Sequence, residues 1–194
     1  MGSILVTGSN GFIGKNLRLK FSDIDKKVYF PSSTECNLKS LKRTLNYFDK
    51  INPEFVIHLA GDSGGIGYLK SNSALVFNNN TMMTSNLFSA CKEQKTNKLI
   101  ILNSINVYPK DATAPFTEES IFDGDPEDTI LPYGLSKKLS LYYSRFYFEQ
   151  FGLKSLNLIC DNVYGEFDNF DDKYSRVIPA NIQRILEAKI KNKQ

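Results

Sequence analysis

Tyr133-Gly134-Leu135-Ser136-Lys137 is the only Tyr-x-x-x-Lys in a sequence with ten tyrosines. Spacing of four puts both side chains on one face of a helix that starts beside Pro132. An ammonium near a phenol favours the phenolate, drawing the tyrosine pKa down from about 10 toward the working pH. Such a tyrosine can exchange a proton with a sugar hydroxyl or carbonyl while hydride moves to or from a nicotinamide. The same spacing arises by chance on any helix, so the pair needs company. Ser104 provides it. It follows the apolar run Leu99-Ile100-Ile101-Leu102, at the carboxyl end of a strand, where α/β sheets place their ligand crevice. Its hydroxyl can orient a reacting oxygen; a serine closing a turn is the plain alternative.

Gly8-Ser9-Asn10-Gly11-Phe12-Ile13-Gly14 follows the short apolar strand Ile4-Leu5-Val6 and opens a helix. That context suits a dinucleotide cofactor. Gly8 permits the tight turn, Gly11 lets backbone approach a pyrophosphate, and Gly14 lets helix and strand pack closely. Leu59, Ala60 and Gly61, ending a third strand, join the expected cofactor set with Ser32, Tyr133 and Lys137. The second strand runs out as Phe30-Pro31-Ser32-Ser33-Thr34 without a carboxylate at its tip, Glu35 being the nearest. An acidic residue there would hold the ribose hydroxyls of NAD. Hydroxyls instead suit a 2′-phosphate, which favours NADP(H) over NAD(H), although no Lys or Arg follows until Lys39.

Composition removes other chemistries. The 194 residues carry a net charge of +3, with 41% hydrophobic and 23% charged residues. This is ordinary for a globular domain and too weak to argue for nucleic acid or an acidic membrane surface. There is no apolar run of the roughly 18 residues that suggest a span. A single histidine, His58, excludes a HExxH or two-histidine metal site, and no metal is expected. A Ser–His–Asp triad would need His58 to leave its apolar strand. Cys36, Cys91 and Cys160 form no CxxC pair and read as reduced thiols of a cytoplasmic protein. The amino terminus lacks the build of a signal peptide.

The elements that must position these residues alternate. Strands are expected at 4–6, 28–30, 55–60, 98–102 and 155–159, and helices at about 11–20, 38–50, 73–93, 133–151 and 177–190. The stretches 61–67 and 110–132 read as loops. This order predicts a Rossmann-type, doubly wound α/β fold, a parallel sheet with helices on both faces. Residues 1–165 form the dinucleotide-binding domain, and residues 166–194 begin a small substrate lobe. The last helix carries Ile178, Ile182, Ile185, Leu186 and Ile190 on one side. That stripe needs a partner surface, either this same domain or a substrate lobe beyond it. Residues 189–194 read as a solvated helix end.

Together these pieces resemble the extended short-chain dehydrogenase/reductase superfamily of nucleotide-sugar enzymes, and within it the GDP-L-fucose synthase branch, from Ile4 to about Ala188. The specific parts are His58-Leu59-Ala60 with Gly64-Gly65-Ile66, Asn80 through Asn86, and Ser104 with Val107-Tyr108-Pro109-Lys110. Asn162-Val163-Tyr164-Gly165, Asp168-Asn169-Phe170 and Val177-Ile178-Pro179-Ala180 follow. The resemblance implies Ser104, Tyr133 and Lys137 as a reductase triad acting on a GDP-sugar. It also implies Asn106, Asn162 and Arg176 as substrate-side residues, and a homodimer packed through the helices that carry Leu75, Val76, Met82, Met83, Leu87, Leu141, Tyr142, Phe146 and Tyr147.

Two positions depart from that pattern. The branch has a cysteine two residues after the serine and a histidine just before Val-Ile-Pro, which serve C3/C5 epimerisation. Here they are Asn106 and Arg176, neither of which exchanges a proton near neutrality. The expectation is NADP(H)-dependent reduction of a 4-keto nucleotide sugar without that epimerisation. An NAD-dependent nucleotide-sugar 4-epimerase or dehydratase is one alternative. A truncated cofactor-binding remnant with little activity is the other.

Overall fold

The computed structural model describes residues 2–171 and 175–191, so the last three residues of the expected helix end lie outside it. The element order is β1 (Ile4–Thr7), α1 (Phe12–Lys20), β2 (Val28–Tyr29), α2 (Leu41–Ile51), β3 (Phe55–His58) and α3 (Ile66–Ser71). It continues with α4 (Ser73–Glu93), β4 (Lys98–Ser104), α5 (Leu131–Phe151), β5 (Ser155–Cys160) and α6 (Val177–Ile190). Short 3₁₀ turns occupy Ile105–Val107 and Glu119–Phe122. The strands form one parallel sheet in the order β2-β1-β3-β4-β5, the Rossmann-type arrangement expected. The chain leaves β1 toward β2 and returns to the other side as β3, so the order reverses between β1 and β3. Ligand crevices of open α/β sheets lie at that switch, beyond the carboxyl ends of the strands.

Strands covered on both faces lose their alternation and become apolar throughout. Leu5, Val6, Val56 and Leu99 are fully buried, and all but Val6 pack in one cluster with Phe48 of α2 and Leu87 and Phe88 of α4. The Phe88 ring meets Tyr143 and Tyr147 of α5 at 5.3 and 5.2 Å between centroids, which locks the two long helices together over β3 and β4. Residues are in register from Thr7 opposite His58 to Ser104 opposite Cys160.

Some boundaries differ from expectation. The second helix starts at Leu41 because the Ser40 hydroxyl caps it by accepting the Arg43 N–H; Leu38 is instead buried ahead of it. The stretch expected to be loop through Gly67 turns helical at Ile66, a helix of six residues, too short for a periodic signal. Strand β3 stops at His58. The stripe on α6 does not lie down on this domain: Ile185, Leu186 and Ile190 are 67%, 54% and 81% exposed, and within α6 Pro179 and Ala180 are the buried residues. Leu156 and Leu158 on the edge strand β5 are also exposed.

Candidate active site

Gly8 follows β1 with φ +72°, and a Cβ there would stand 2.4 Å from the Ala60 nitrogen. Only glycine allows the turn to press against the end of β3. At Gly11 an added Cβ would meet nothing within 4 Å except the Gly8 carbonyl, so any side chain would project into the groove. Helix α1 begins at once with Phe12, and its first-turn N–H groups open where an anion is stabilised. Gly8, Asn10, Gly11, Phe12, Ile13, Gly14, Leu59 and Gly61 line a cavity of about 350 Å³ along this turn. The residues present therefore fit the pyrophosphate of a dinucleotide. A neighbouring pocket of about 140 Å³ is walled by Thr7, Ser9, Asn10, Ser32, Ser33, Cys36, Leu38, Ala60 and Met83, a small slot of mixed polar and apolar lining.

At the other end the groove continues into a cavity of about 130 Å³ lined by Ser104, Asn106, Tyr133, Lys137, Asn162 and Arg176. Ile13, Leu59, Gly61 and Arg176 are common to both cavities. The catalytic candidates, the glycine turn and the three substrate-side candidates are thus brought to one continuous crevice.

A polar network sets their register. The Asn103 side chain donates to the Ser140 hydroxyl at 2.9 Å and accepts the Ser104 N–H at 3.0 Å. Ser140 donates to the Lys137 backbone carbonyl at 2.7 Å and lies 3.0 Å from the side-chain Oδ1 of Asn157. The end of β4 is thereby tied to the turn of α5 that carries Lys137. On the opposite wall Asn80, a buried residue of α4, accepts the Asp62 N–H at 2.8 Å and donates to the Asp62 carbonyl at 2.9 Å. The Asp62 carboxylate accepts from Asn79 and from the Tyr68 hydroxyl, both at 2.7 Å. Asn80, Asp62 and Asn103 escaped the sequence reading as site residues. The available signal was a polar side chain set into an otherwise apolar helix or strand.

The electrostatics correct one expectation. Lys137 is half-buried, its Nζ donates to the Leu102 carbonyl at 3.3 Å, and desolvation of the ammonium brings its pKa down to about 8. Its Nζ lies 6.0 Å from the Tyr133 ring centroid. Yet Tyr133 is held above its ordinary value rather than drawn down, because burial outweighs the Arg176 charge and the Ser104 hydrogen bond that favour phenolate. Tyr133 therefore keeps its proton near neutrality. His58 is neutral and buried, pushed down to about 3 chiefly by desolvation, with Nδ1 2.8 Å from the Thr7 hydroxyl.

The adenosine end also differs from the sequence picture. Glu35 folds back so that its carboxylate accepts both the N–H and the hydroxyl of Ser32, each at 2.8 Å. A carboxylate does stand at the strand tip, and Ser32's donors are engaged. A cation reaches this end from α1: Arg18 donates to Asn10 Oδ1 at 3.4 Å and to the Phe30 carbonyl at 3.3 Å. Its guanidinium lies 4.9 Å from the Phe30 ring centroid. Among the described residues no cluster of three metal-ligating side chains occurs, and no helix is long and apolar enough to cross a membrane.

The fold and site define a Rossmann-type nucleotide-binding protein with a Ser/Tyr/Lys constellation at the carboxyl ends of its strands. The sequence profile of the NAD dependent epimerase/dehydratase family matches residues 4–193, and the chain belongs to that family. It is 36% identical over 189 residues to the GDP-L-colitose synthase of Yersinia pseudotuberculosis, covering 95% of this chain and 60% of that protein. The structure of a GDP-L-fucose synthetase from Naegleria fowleri bound to NADP superposes with a TM-score of 0.88 at 26% identity, covering 99% of this chain and 60% of that one. A GDP-6-OMe-4-keto-L-xylo-heptose reductase from C. jejuni gives 0.89 at 26% identity, over 97% and 54% of the two chains. The chain thus spans about three fifths of the length of the relatives it matches.

Proposed function

We propose that the protein reduces a 4-keto nucleotide sugar, a GDP-sugar, with NADP(H), and does so without epimerising C3 or C5. The observation carrying this reading is that Ser104, Tyr133 and Lys137 share one cavity that opens into the groove over the glycine turn. NADP(H), when bound in that groove, supplies the hydride. Ser104 holds the keto oxygen by its hydroxyl, and Tyr133 gives that oxygen a proton as the carbon is reduced. A phenol that stays protonated near neutrality is in the form a reductase needs. Lys137 fixes the Tyr133 turn of α5 against β4.

Asn106 and Arg176 line the same cavity, and neither takes a proton from C3 or C5 near neutral pH. The names of the Yersinia and C. jejuni relatives support a GDP-sugar, and that of the latter supports 4-keto reduction. Arg18 beside Asn10 and the NADP-bound relative support NADP(H) over NAD(H). In this reading residues 1–165 bind the cofactor and 166–194 begin the substrate lobe. Leu75, Phe77, Tyr142 and Phe146, exposed on α4 and α5, support association with a second copy, and the three free cysteines suit a reducing cytoplasm.

The exposed stripe of α6 and the open edge of β5 favour a second reading, a cofactor-binding remnant. Incubation with NADPH and GDP-4-keto-6-deoxymannose in deuterated water separates the possibilities. Expected is NADPH oxidation with no deuterium at C3 or C5 of the product, abolished in Tyr133→Phe. Deuterium at either carbon overturns the non-epimerising assignment. Cofactor binding without oxidation favours the remnant.

A further inference from the structure

Helix α5 carries chemistry and anchorage on one stripe. Tyr133, Lys137, Ser140 and Ser144 follow at intervals of four, three and four, so all lie on the same helix face. The first two line the crevice. The second two reach the sheet, and Ser140 is 2% exposed.

Ser140 sits where two strands meet the helix. From β4, Asn103 donates to its hydroxyl at 2.9 Å, and from β5, Asn157 brings Oδ1 within 3.0 Å. Proton counting fixes the orientations. The Ser104 N–H can only donate, so Asn103 turns Oδ1 to it and its amino group to Ser140. The second amino proton of Asn103 has Asn157 Oδ1 at 3.4 Å. Ser144 gives its proton to the Ser140 carbonyl at 2.8 Å, so it accepts from Asn157 Nδ2, also at 2.8 Å. One arrangement of protons serves every group, and a buried network satisfied in that way is rigid.

Strand β5 is faced to suit this network. It turns Asn157 toward α5 and leaves Leu156 and Leu158 44% and 43% exposed. A slip of one residue would send both leucines inward. Apolar burial therefore does not select this facing; the ladder that sets Asn157 opposite Ile101 and the bonds of the Asn157 amide do.

We propose that Ser140 is a positioning residue for the reduction: with Asn103 and Asn157 it pins α5 to the sheet and so fixes Tyr133 against Ser104. The inference rests on the reductase reading above. In that reading two hydroxyls must reach one keto oxygen, Tyr133 coming from a helix and Ser104 from a strand. Their spacing is a helix-to-strand distance, and Ser140 joins the two elements through the residue next to Ser104. A displacement well under the width of an atom is enough to spoil such an alignment.

The test compares Ser140→Ala and Asn157→Leu with Leu158→Ala, which perturbs the same strand outside the network. Amide hydrogen exchange, followed by NMR, reads the geometry without turnover. The Ser104 N–H, which neither Ser140 nor Asn157 touches, should exchange about 2- to 10-fold faster in both network variants, the worth of one hydrogen bond. In Leu158→Ala it should change no more than its β4 neighbours do. In turnover, kcat for the 4-keto sugar should fall about 10- to 100-fold in the network variants, with KM and NADPH affinity staying near the parent. The double variant should fall no further than the worse single one. Ser104 exchange and kcat that merely follow the urea-measured stability, as Leu158→Ala defines it, overturn the proposal, as does a raised KM with unchanged kcat. If the parent itself oxidises no NADPH, the reductase reading fails, while the Ser104 exchange still decides whether Ser140 holds that strand end to α5.

Discussion

Asn80→Ala should loosen the wall that the crevice shares between its two cavities. Asn80 is 3% exposed and spends its amide on both backbone groups of Asp62, at 2.8 and 2.9 Å. Each such bond contributes about 0.5–1.5 kcal/mol net, so their joint loss costs about 1–3 kcal/mol. The segment Gly61–Gly64 also leans on Asp62's side-chain bonds to Tyr68 and Asn79, which remain, so the local loosening lies toward the lower end, about 1–2 kcal/mol. Because Gly61, Ser63 and Gly64 wall both cavities, a cofactor must then reorder them on binding. Apparent affinity falls by the fraction of molecules that are competent, which for 1–2 kcal/mol is about 5- to 30-fold. Titration of NADPH fluorescence measures this, and urea unfolding measures the global cost. An unchanged NADPH affinity together with a loss of stability below about 0.5 kcal/mol would refute the clamp. A large stability loss with unchanged affinity would place Asn80 in the core rather than in the site.

Two further outcomes follow from buried titratable groups. His58 is neutral in the fold down to about pH 3 but charges near 6.5 when unfolded, so the unfolded state binds the extra proton between those values. Stability should therefore fall on acidification through that window by up to about 1.4 kcal/mol per pH unit, and His58→Gln should reduce that slope in urea titrations at several pH values. Burial pushes the Cys36 and Cys91 thiols up to about 12, while Cys160 is half-buried and lines the crevice. A thiol reagent should label one cysteine in the native protein and three in urea, with bound NADPH slowing the native reaction.

The sheet and the main catalytic candidates were legible in the chain because their causes are local. Apolar runs such as Phe55–His58 and Leu99–Leu102 announce buried parallel strands, the glycines after β1 announce a turn no other residue can make, and Tyr133 and Lys137 announce one helix face by spacing alone. Three kinds of feature were not legible. Helix α3 has six residues, too few to show a period. The clamps through Asn80 and Asn103 join elements 18 and 37 residues apart along the chain, and no local pattern selects one asparagine among several. Glu35 reaches the tip of β2 through a turn whose closure depends on Ser32 rather than on distance in sequence.

By itself, then, the sequence determined the alternating fold, the cofactor turn and the three catalytic candidates. Residue type and short-range spacing suffice for each of those. Only the tertiary structure decided the protonation of Tyr133, the company Arg176 keeps, and the fate of the α6 stripe. Burial and charge at a point are sums over segments distant along the chain. Spacing predicted a tyrosine made acidic by its lysine; folding buried the tyrosine, desolvated the lysine, and brought an arginine from 43 residues beyond the tyrosine to the same cavity.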